Sequence, residues 1–484
     1  MYVKDLLKNI NNAVVNGNVL VEVKGLTISD SEVKPGYVYF CINGTNVDGH
    51  EFAVEAVSRG AVAVVCERAL DVNAAVIIVP SVRKAMSIMA ADFYGRPADK
   101  LRLVGITGTN GKTSTCHIVR NILRFAGHKV GVIGTLGISY GSVIMAPELT
   151  TPDPIFLHKI FCDMVAAGVG IVVMEVSAHS MELFKTEGLR FEVGVFTNFT
   201  QDHLDFFGTM QKYSAAKQRF LTPEFCDFTV FNTDDDLGRK LFLAAGMKSV
   251  SYGIDSPSDV FAVNVKESLN GVSFVLNLFD NVYKVRSKLA GRFSVYNCLA
   301  AATCCAVLDV DFEDIICGIE TTEGVSGRIE QVKNIENKMI FVDYAHTPDG
   351  LKNVLLALRK CTHGRLICVF GCGGNRDKTK RSIMGEIAGE YADFSIITSD
   401  NPRYEEPCDI TAEIEKGIRK KSNGYITIQD RRSAIEYGIS IMKDNDVLLI
   451  AGKGAEEYQE VLGVRHRFND KRCVQEFLGM EDGV

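Results

Sequence analysis

The stretch Gly105-Ile106-Thr107-Gly108-Thr109-Asn110-Gly111-Lys112-Thr113-Ser114 joins an apolar run to a helical one. That is the setting a phosphate-binding loop needs. Glycines let backbone N–H groups turn toward phosphate oxygens, and a helix N-terminus adds a favourable dipole. Lys112 is placed to reach β- and γ-phosphates, and the Thr113 hydroxyl to ligate Mg²⁺. The general spacing GxxxxGK[ST] fails by one position, because Ile106 stands where the first glycine belongs. The competing reading is an ordinary strand-to-helix turn that contains Gly-Lys-Thr.

Two further groups could serve the same chemistry. The apolar run Gly170–Val176 ends in Met174-Glu175-Val176-Ser177-Ala178-His179. A carboxylate at the end of a strand beside a phosphate loop can hold a metal ion; a solvated rim glutamate is the alternative for Glu175. The cluster Thr197-Asn198-Phe199-Thr200-Gln201-Asp202-His203-Leu204-Asp205 follows the next strand. His203 can ligate a metal through a neutral ring nitrogen, and is equally readable as structural.

The elements that must position these groups form three α/β blocks. Residues 1–97 hold short β-rich runs at Tyr37–Ile42, Ala61–Cys66 and Ala75–Val79, with Phe52–Arg59 as a short helix. Residues 98–328 open on the strand Leu101–Thr107, followed by the loop and a helix ending near Gly127. Strands at Val130–Ile133, Gly170–Val176 and Val193–Asn198 predict a parallel sheet covered on both faces. Residues 329–484 repeat the alternation, with strands at Met339–Val342, Leu366–Phe370, Phe394–Thr398, Tyr425–Ile428 and Val447–Ile450. This last block predicts a doubly wound, Rossmann-like domain.

Composition bounds the function. The chain has 484 residues, 53 basic and 60 acidic, for a net charge of -7. Without basic excess or basic runs, nucleic acid is not an expected partner. No segment approaches 18 uninterrupted apolar residues, so no membrane span is expected. The start MYVKDLLKNINNAVVNG has no apolar signal core. With 14 scattered cysteines and no CxxC pair, the expectation is a cytoplasmic protein with reduced, mostly core thiols.

Taken in order, GTNGKTS, EVSAH, TNFTQDHLD, DYAHTPDG, GCGGNRDKTKR and DNPR resemble the Mur ligase family, over essentially the whole chain. The loop's one-residue departure is itself that family's variant. The resemblance implies three domains: a small α/β domain for the UDP end of the substrate (1–97), a central phosphate-loop ATPase domain (98–328) and a C-terminal domain that brings the amino acid (329–484). It also implies the reaction. ATP phosphorylates the D-glutamyl γ-carboxylate of UDP-MurNAc-L-Ala-D-Glu, and an amine of the incoming amino acid attacks the acyl phosphate, leaving an amide, ADP and phosphate.

The resemblance further implies site residues. Thr113 and Glu175 hold one Mg²⁺ and His203 helps a second. Lys217, which read alone is a surface helix lysine, matches the family's carboxylated lysine, whose carbamate can hold metal. ATP contacts are implied at Asn297, Arg328 and Asp343, with His346 near the adenine or ribose; the bland alternatives are a helix cap for Asn297 and a solvated linker charge for Arg328. UDP-MurNAc-dipeptide contacts are implied at Ile28, Asp30, Thr45, Asn46, Val47, Thr150, Thr151, Ser177 and Lys185. Departures from the family pattern are Ser29-Asp30-Ser31-Glu32, which lacks an arginine, Leu183, Lys185, Ser294 and Ala455.

In this family the quartet Asp400-Asn401-Pro402-Arg403 accompanies meso-diaminopimelate, with Arg376, Gly452 and Glu456 completing the amino-acid site. Diaminopimelate has a second carboxylate that lysine lacks, and an arginine can grip a carboxylate bidentately. Read alone, DNPR is a good turn sequence. The expectation is therefore a monomeric, cytoplasmic, ATP- and Mg²⁺-dependent ligase that adds meso-diaminopimelate. The alternatives are the same reaction with L-lysine or a diamino acid such as lanthionine, or, from another class, a nucleotide-driven switch or transport ATPase.

Overall fold

The structure is a computed structural model of the chain, and it describes residues 1–44, 47–146, 149–334, 336 and 338–480. By backbone contacts these fall into two compact units. The first comprises residues 1–107, 128–194 and 216–228; the second comprises residues 108–127, 195–215 and 229–484.

The first unit opens on a five-stranded sheet. Its order is Val14–Asn16, Ala75–Ile78, Ala61–Cys66, Tyr37–Phe40, Gly25–Thr27, parallel except for the first strand. The alternation that marks these runs as strands also divides their side chains between two cores. Val38, Phe40, Ala63, Val65 and Ile77 pack on the helix Val82–Phe93. Tyr39, Cys41, Val64, Cys66 and Val76 face Ala53 and Ala56 of the helix Ala53–Ser58. The unit also holds the strand Arg102–Thr107, paired in parallel with Ile171–Glu175, which pairs in turn with Val130–Gly134. Two short antiparallel strands, Gly137–Tyr140 and Val143–Met145, extend that edge beyond the purely parallel sheet expected from the sequence.

In the second unit the helix Lys112–Phe125 packs against the helices Arg292–Val307 and Phe312–Thr321. The strands Val260–Ser268, Gly271–Leu278 and Asn281–Ser287 form an antiparallel meander, another departure from strand–helix alternation. Its last turn places Phe279 and Asp280 at φ +48° and +67°. Both are left-handed, as a two-residue hairpin requires, but neither residue is glycine or asparagine, so the usual signal is missing.

The unit's six-stranded sheet has the order Glu330–Gln331, Met339–Asp343, Val447–Ala451, Leu366–Phe370, Phe394–Ile397, Tyr425–Thr427. All but the first strand are parallel. Helices Pro348–Cys361, Thr379–Tyr391 and Pro407–Ile418 cover one face, while Arg431–Ser440 and Asp470–Phe477 cover the other. The sheet's last member in sequence, Val447–Ala451, inserts between the first two parallel strands of the block. It thereby delivers residues 452–456 among the loops that follow Asp343, Phe370 and Ile397, at the carboxyl ends where doubly wound sheets bind ligands.

All 14 cysteines are free thiols, and most are buried. Burial lifts the Cys298 thiol to about 12, the behaviour of a core residue. No helix among the described residues is long and apolar enough to cross a membrane.

Candidate functional site

In the second unit the loop residues 108–112 are stitched to the segment 197–200. Gly108 sits at φ +144°, and an added Cβ would lie 1.9 Å from Thr197 Oγ1, so only glycine fits. Thr197 Oγ1 donates to the Asn110 carbonyl at 2.6 Å, and Asn110 N donates to Asn198 Oδ1 at 2.8 Å. Thr109 Oγ1 bonds the Thr200 backbone and the Tyr213 hydroxyl. Lys112 Nζ donates to Gly108 O at 2.9 Å and to Thr109 O at 2.8 Å, so it folds over the loop it serves. Ser114 follows within the first turn of the helix Lys112–Phe125.

The residues expected to complete a nucleotide site lie around this loop. Arg328 Nη2 donates to Thr113 Oγ1 at 3.1 Å, and its guanidinium stacks 4.6 Å from the Tyr344 ring centroid. Arg328 is therefore not a solvated linker charge. Asn297 lies inside the helix Arg292–Val307, whose N-cap is Gly291, which rules out the capping role. Its Oδ1 accepts from Thr115 and lies 2.5 Å from where a Gly111 Cβ would stand. Asp343 accepts from the backbone N–H of Ile329 and Ala345 at 2.6 and 2.7 Å, bracing the turn that carries Arg328. Burial pushes its carboxyl up, against the pull of Arg328 and those N–H groups.

His203, at φ +56°, faces a partner that sequence reasoning left unassigned. Its Nε2 lies 3.2 Å from Asp202 Oδ2, and His346 Nε2 lies 3.9 Å from the same oxygen. Burial would raise the Asp202 carboxyl, but His203, His346 and Lys380 overcome it and hold it at about 2. Asp202 is in the singled-out cluster, yet nothing in its sequence position announces the second histidine, 144 residues on.

The amino-acid candidates gather at the sheet's carboxyl ends. Asn401 Nδ2 donates to Glu456 Oε2 at 3.0 Å. Asp400 is buried beside Gly452, where a Cβ would lie 2.6 Å from Asp400 Oδ2. Pro402 lies over Gly374, where a Cβ would meet the Pro402 carbonyl at 1.9 Å. Arg403 takes φ +52°, donates from its backbone N–H to Glu460 O and accepts at its carbonyl from Leu462 N, donates from Nη1 to Gly374 O at 2.8 Å and places Nε 3.5 Å from Glu460. Its fork is thus partly engaged rather than open for a bidentate grip. Arg376 lies in the neighbouring loop, 3.4 Å from Asp205. Sequence reasoning missed Lys453, wholly buried between Asn401 and Glu456; its nearest sequence signal is its place inside the singled-out Gly452–Glu456 run.

In the first unit, Glu175 ends its strand in register with Ile106, one residue before the loop begins to turn. It is 1% exposed, and its carboxylate accepts from Thr135 N and Oγ1 at 2.8 and 3.1 Å, which excludes the solvated-rim reading. Thr150 reaches Thr135, while Thr151 Oγ1 bonds the Glu175 carbonyl and Ser177. Lys185 is 8% exposed and pairs with Asp153 at 2.9 Å, so its charge is already countered. Lys217 is 1% exposed, a correction to its reading as a surface lysine. Ile28 and Val47 are exposed, and Asp30 pairs at 3.2 Å with Arg59, an arginine supplied from 29 residues away where the local motif lacks one. Thr45 and Asn46 lie outside the described residues.

Three family profiles match the chain in order: Mur ligase family, catalytic domain, over residues 22–94; Mur ligase middle domain over 106–305; and Mur ligase, glutamate ligase domain, over 327–454. Among curated proteins, the UDP-N-acetylmuramoyl-L-alanyl-D-glutamate--2,6-diaminopimelate ligase of Syntrophomonas wolfei is 41% identical over 484 residues, covering 99% of both chains. The ligase 1 of that description from Clostridium acetobutylicum is 39% identical, again covering 99% of both. A solved structure described as a UDP-N-acetylmuramoyl-L-alanyl-D-glutamate--2,6-diaminopimelate ligase superposes with TM-score 0.70 at 29% identity, covering 99% of both chains. The Mycobacterium tuberculosis folylpolyglutamate synthase, solved with ADP and AMPPCP, shares the fold at TM-score 0.65 and 17% identity, covering 82% of this chain and 96% of its own. The chain belongs to the Mur ligase family.

Proposed function

We infer that this chain is an ATP-dependent amide ligase that adds meso-2,6-diaminopimelate to the D-glutamyl γ-carboxylate of UDP-MurNAc-L-Ala-D-Glu, in the cytoplasmic synthesis of peptidoglycan precursor. The observation that carries the reading is the pairing of Asn401 and Glu456 beside Arg403 at the carboxyl ends of one sheet. A carboxylate and a guanidinium there suit an amino acid whose distal end bears both an ammonium and a carboxylate. The descriptions of the relatives point to the same amino acid.

The residues divide the work. The loop Gly108–Ser114 cradles the phosphates, and Lys112 exchanges its loop carbonyls for phosphate oxygens. Asn297, Arg328 and Asp343 hold the nucleotide. Ile28, Asp30, Thr45, Asn46, Val47, Thr150, Thr151, Ser177 and Lys185 take the UDP-MurNAc-dipeptide. Asp400, Asn401, Pro402, Arg403, Arg376, Gly452 and Glu456 hold the diamino acid so that its free amine meets the acyl phosphate.

In this reading the cation is Mg²⁺, which takes oxygen ligands. Thr113 and Glu175 offer hard oxygens, buried at 3% and 1% exposure. With His203, these residues would hold Mg²⁺, which supplies charge neutralisation for the anions. Lys217 as a carbamate would be a further anion toward that ion. The enzyme acts as a monomer in this reading.

The test is phosphate release. A ligase releases phosphate only when ATP, UDP-MurNAc-dipeptide and amino acid are all present. A switch or transport ATPase hydrolyses ATP without the other two, and that result would overturn the reading.

A further inference from the structure

Lys453 has no exposed surface, and burying an ammonium is costly unless it is fully partnered. Its Nζ donates to Asn401 Oδ1 at 3.0 Å and to Glu456 Oε2 at 2.8 Å, and it lies 5.7 Å from the Tyr458 ring centroid. It also helps hold the buried Asp400 carboxyl below its ordinary value, against the upward push of burial.

These bonds settle which way the Asn401 amide points. Oδ1 accepts from two donors, Lys453 Nζ and Glu460 N, at 3.0 and 2.9 Å. A flipped amide would turn its NH₂ toward both donors and its oxygen toward the Glu456 carboxylate, an arrangement with three repulsive contacts. The observed orientation sends Nδ2 to Glu456, and that nitrogen has a second N–H. Glu456 Oε2 accepts from both Lys453 and Asn401, which leaves Oε1 for another cation.

We propose that Lys453 is a positioning residue for the amino-acid substrate: it locks the Asn401 amide and the Glu456 carboxylate so that the pocket presents a donor, one carboxylate oxygen and the Arg403 guanidinium to the distal end of a diamino diacid. The inference rests on the amino-acid reading of this pocket. It assigns discrimination between diaminopimelate and lysine to a residue outside the DNPR quartet.

The test uses the full-length enzyme with saturating ATP and UDP-MurNAc-dipeptide, varying diaminopimelate or L-lysine. Lys453→Met should raise KM for diaminopimelate by about 30-fold or more, the effect of removing one partner of a buried charge pair. KM for ATP and for the UDP-sugar should not change, and the preference for diaminopimelate over lysine should fall. Asn401→Asp removes the donor while leaving Lys453 in place, and should produce a loss of similar size. Because the two act through one arrangement, the double variant should lose about as much as either single variant, not the product of both. Should Lys453→Met fail to fold, Lys453→Gln keeps a buried donor and should retain most of the preference, while Asn401→Asp still reports the loss. An unchanged KM for the amino acid, losses spread evenly over all three substrates, or multiplying losses in the double variant would each overturn the proposal. A wild-type enzyme that prefers lysine overturns the substrate reading instead, and the same KM comparison made with the preferred amino acid still decides the role of Lys453.

Discussion

Arg431 meets Asp470 in a doubly hydrogen-bonded ion pair, Nε to Oδ1 and Nη2 to Oδ2 at 2.7 Å each, with both side chains at zero exposure. Arg431 Nη2 also donates to the Ala451 carbonyl at 3.0 Å, so the pair anchors the residue before the Gly452–Glu456 loop. Removing one member of a buried pair strands the other, at about 3–5 kcal/mol. Asp470→Ala should lower unfolding free energy by that amount in urea titrations and raise KM for the amino acid. Replacing both residues by apolar ones of similar volume should recover much of the stability.

Lys112 folds onto the Gly108 and Thr109 carbonyls, so it braces the loop in addition to the charge-neutralising role proposed for it. Lys112→Ala should abolish phosphate release, because the γ-phosphate charge is then uncountered during transfer. It should also cost about 1–2 kcal/mol of stability from the lost hydrogen bonds. Wild-type turnover in this variant would contradict the nucleotide assignment.

Much of this was legible in the sequence, and the division has a physical basis. The glycine-rich loop, the DNPR turn and the strand that ends in Glu175 are local features, set by neighbours along the chain. Lys453 and Asn401 are 52 residues apart, and Arg59 and Asp30 are 29 apart, so only the folded sheets bring them together. The burial of Lys217 comes from tertiary packing, which local pattern does not encode. In the meander of residues 260–287 the Asn270-Gly271 turn carries a hairpin signal, whereas the Phe279-Asp280 turn uses left-handed residues without glycine and gives none.

Lys217 is as buried as the core apolar residues at 1% exposure, and an alanine there removes a side chain that the proposed carbamate chemistry needs. Lys217→Ala should slow single-turnover amide formation far more than it weakens ATP binding measured by calorimetry. Intact mass of the active enzyme should show one added CO₂. Equal losses in both measurements would indicate a merely structural lysine.

Glu405 braces the loop behind Arg403: it bonds Arg381, whose side chain is 1% exposed, and accepts from Asn375 N. The Arg381 pairing holds its carboxyl at about 2, below the ordinary 4.5, against a smaller upward push from burial. A lowered folded value stabilises the fold above pH 4.5, and that contribution is lost as pH falls toward 2. In urea midpoints measured across this window, wild-type stability should fall with acid. Glu405→Gln should be less stable at neutral pH and show a shallower acid limb.

The central claim is the identity of the added amino acid, whose choice we assign to Arg403 and its partners. The most direct measurement is kcat/KM for meso-diaminopimelate, L-lysine and lanthionine, scored by phosphate release and product mass, in wild type and in Arg403→Ala. The account predicts that wild type prefers diaminopimelate. It also predicts that Arg403→Ala lowers kcat/KM for diaminopimelate by about 30-fold to several thousand-fold, as for a truncated charge pair of about 2–5 kcal/mol, with little change for lysine. A wild-type preference for lysine, or diaminopimelate kinetics untouched by the substitution, would contradict it.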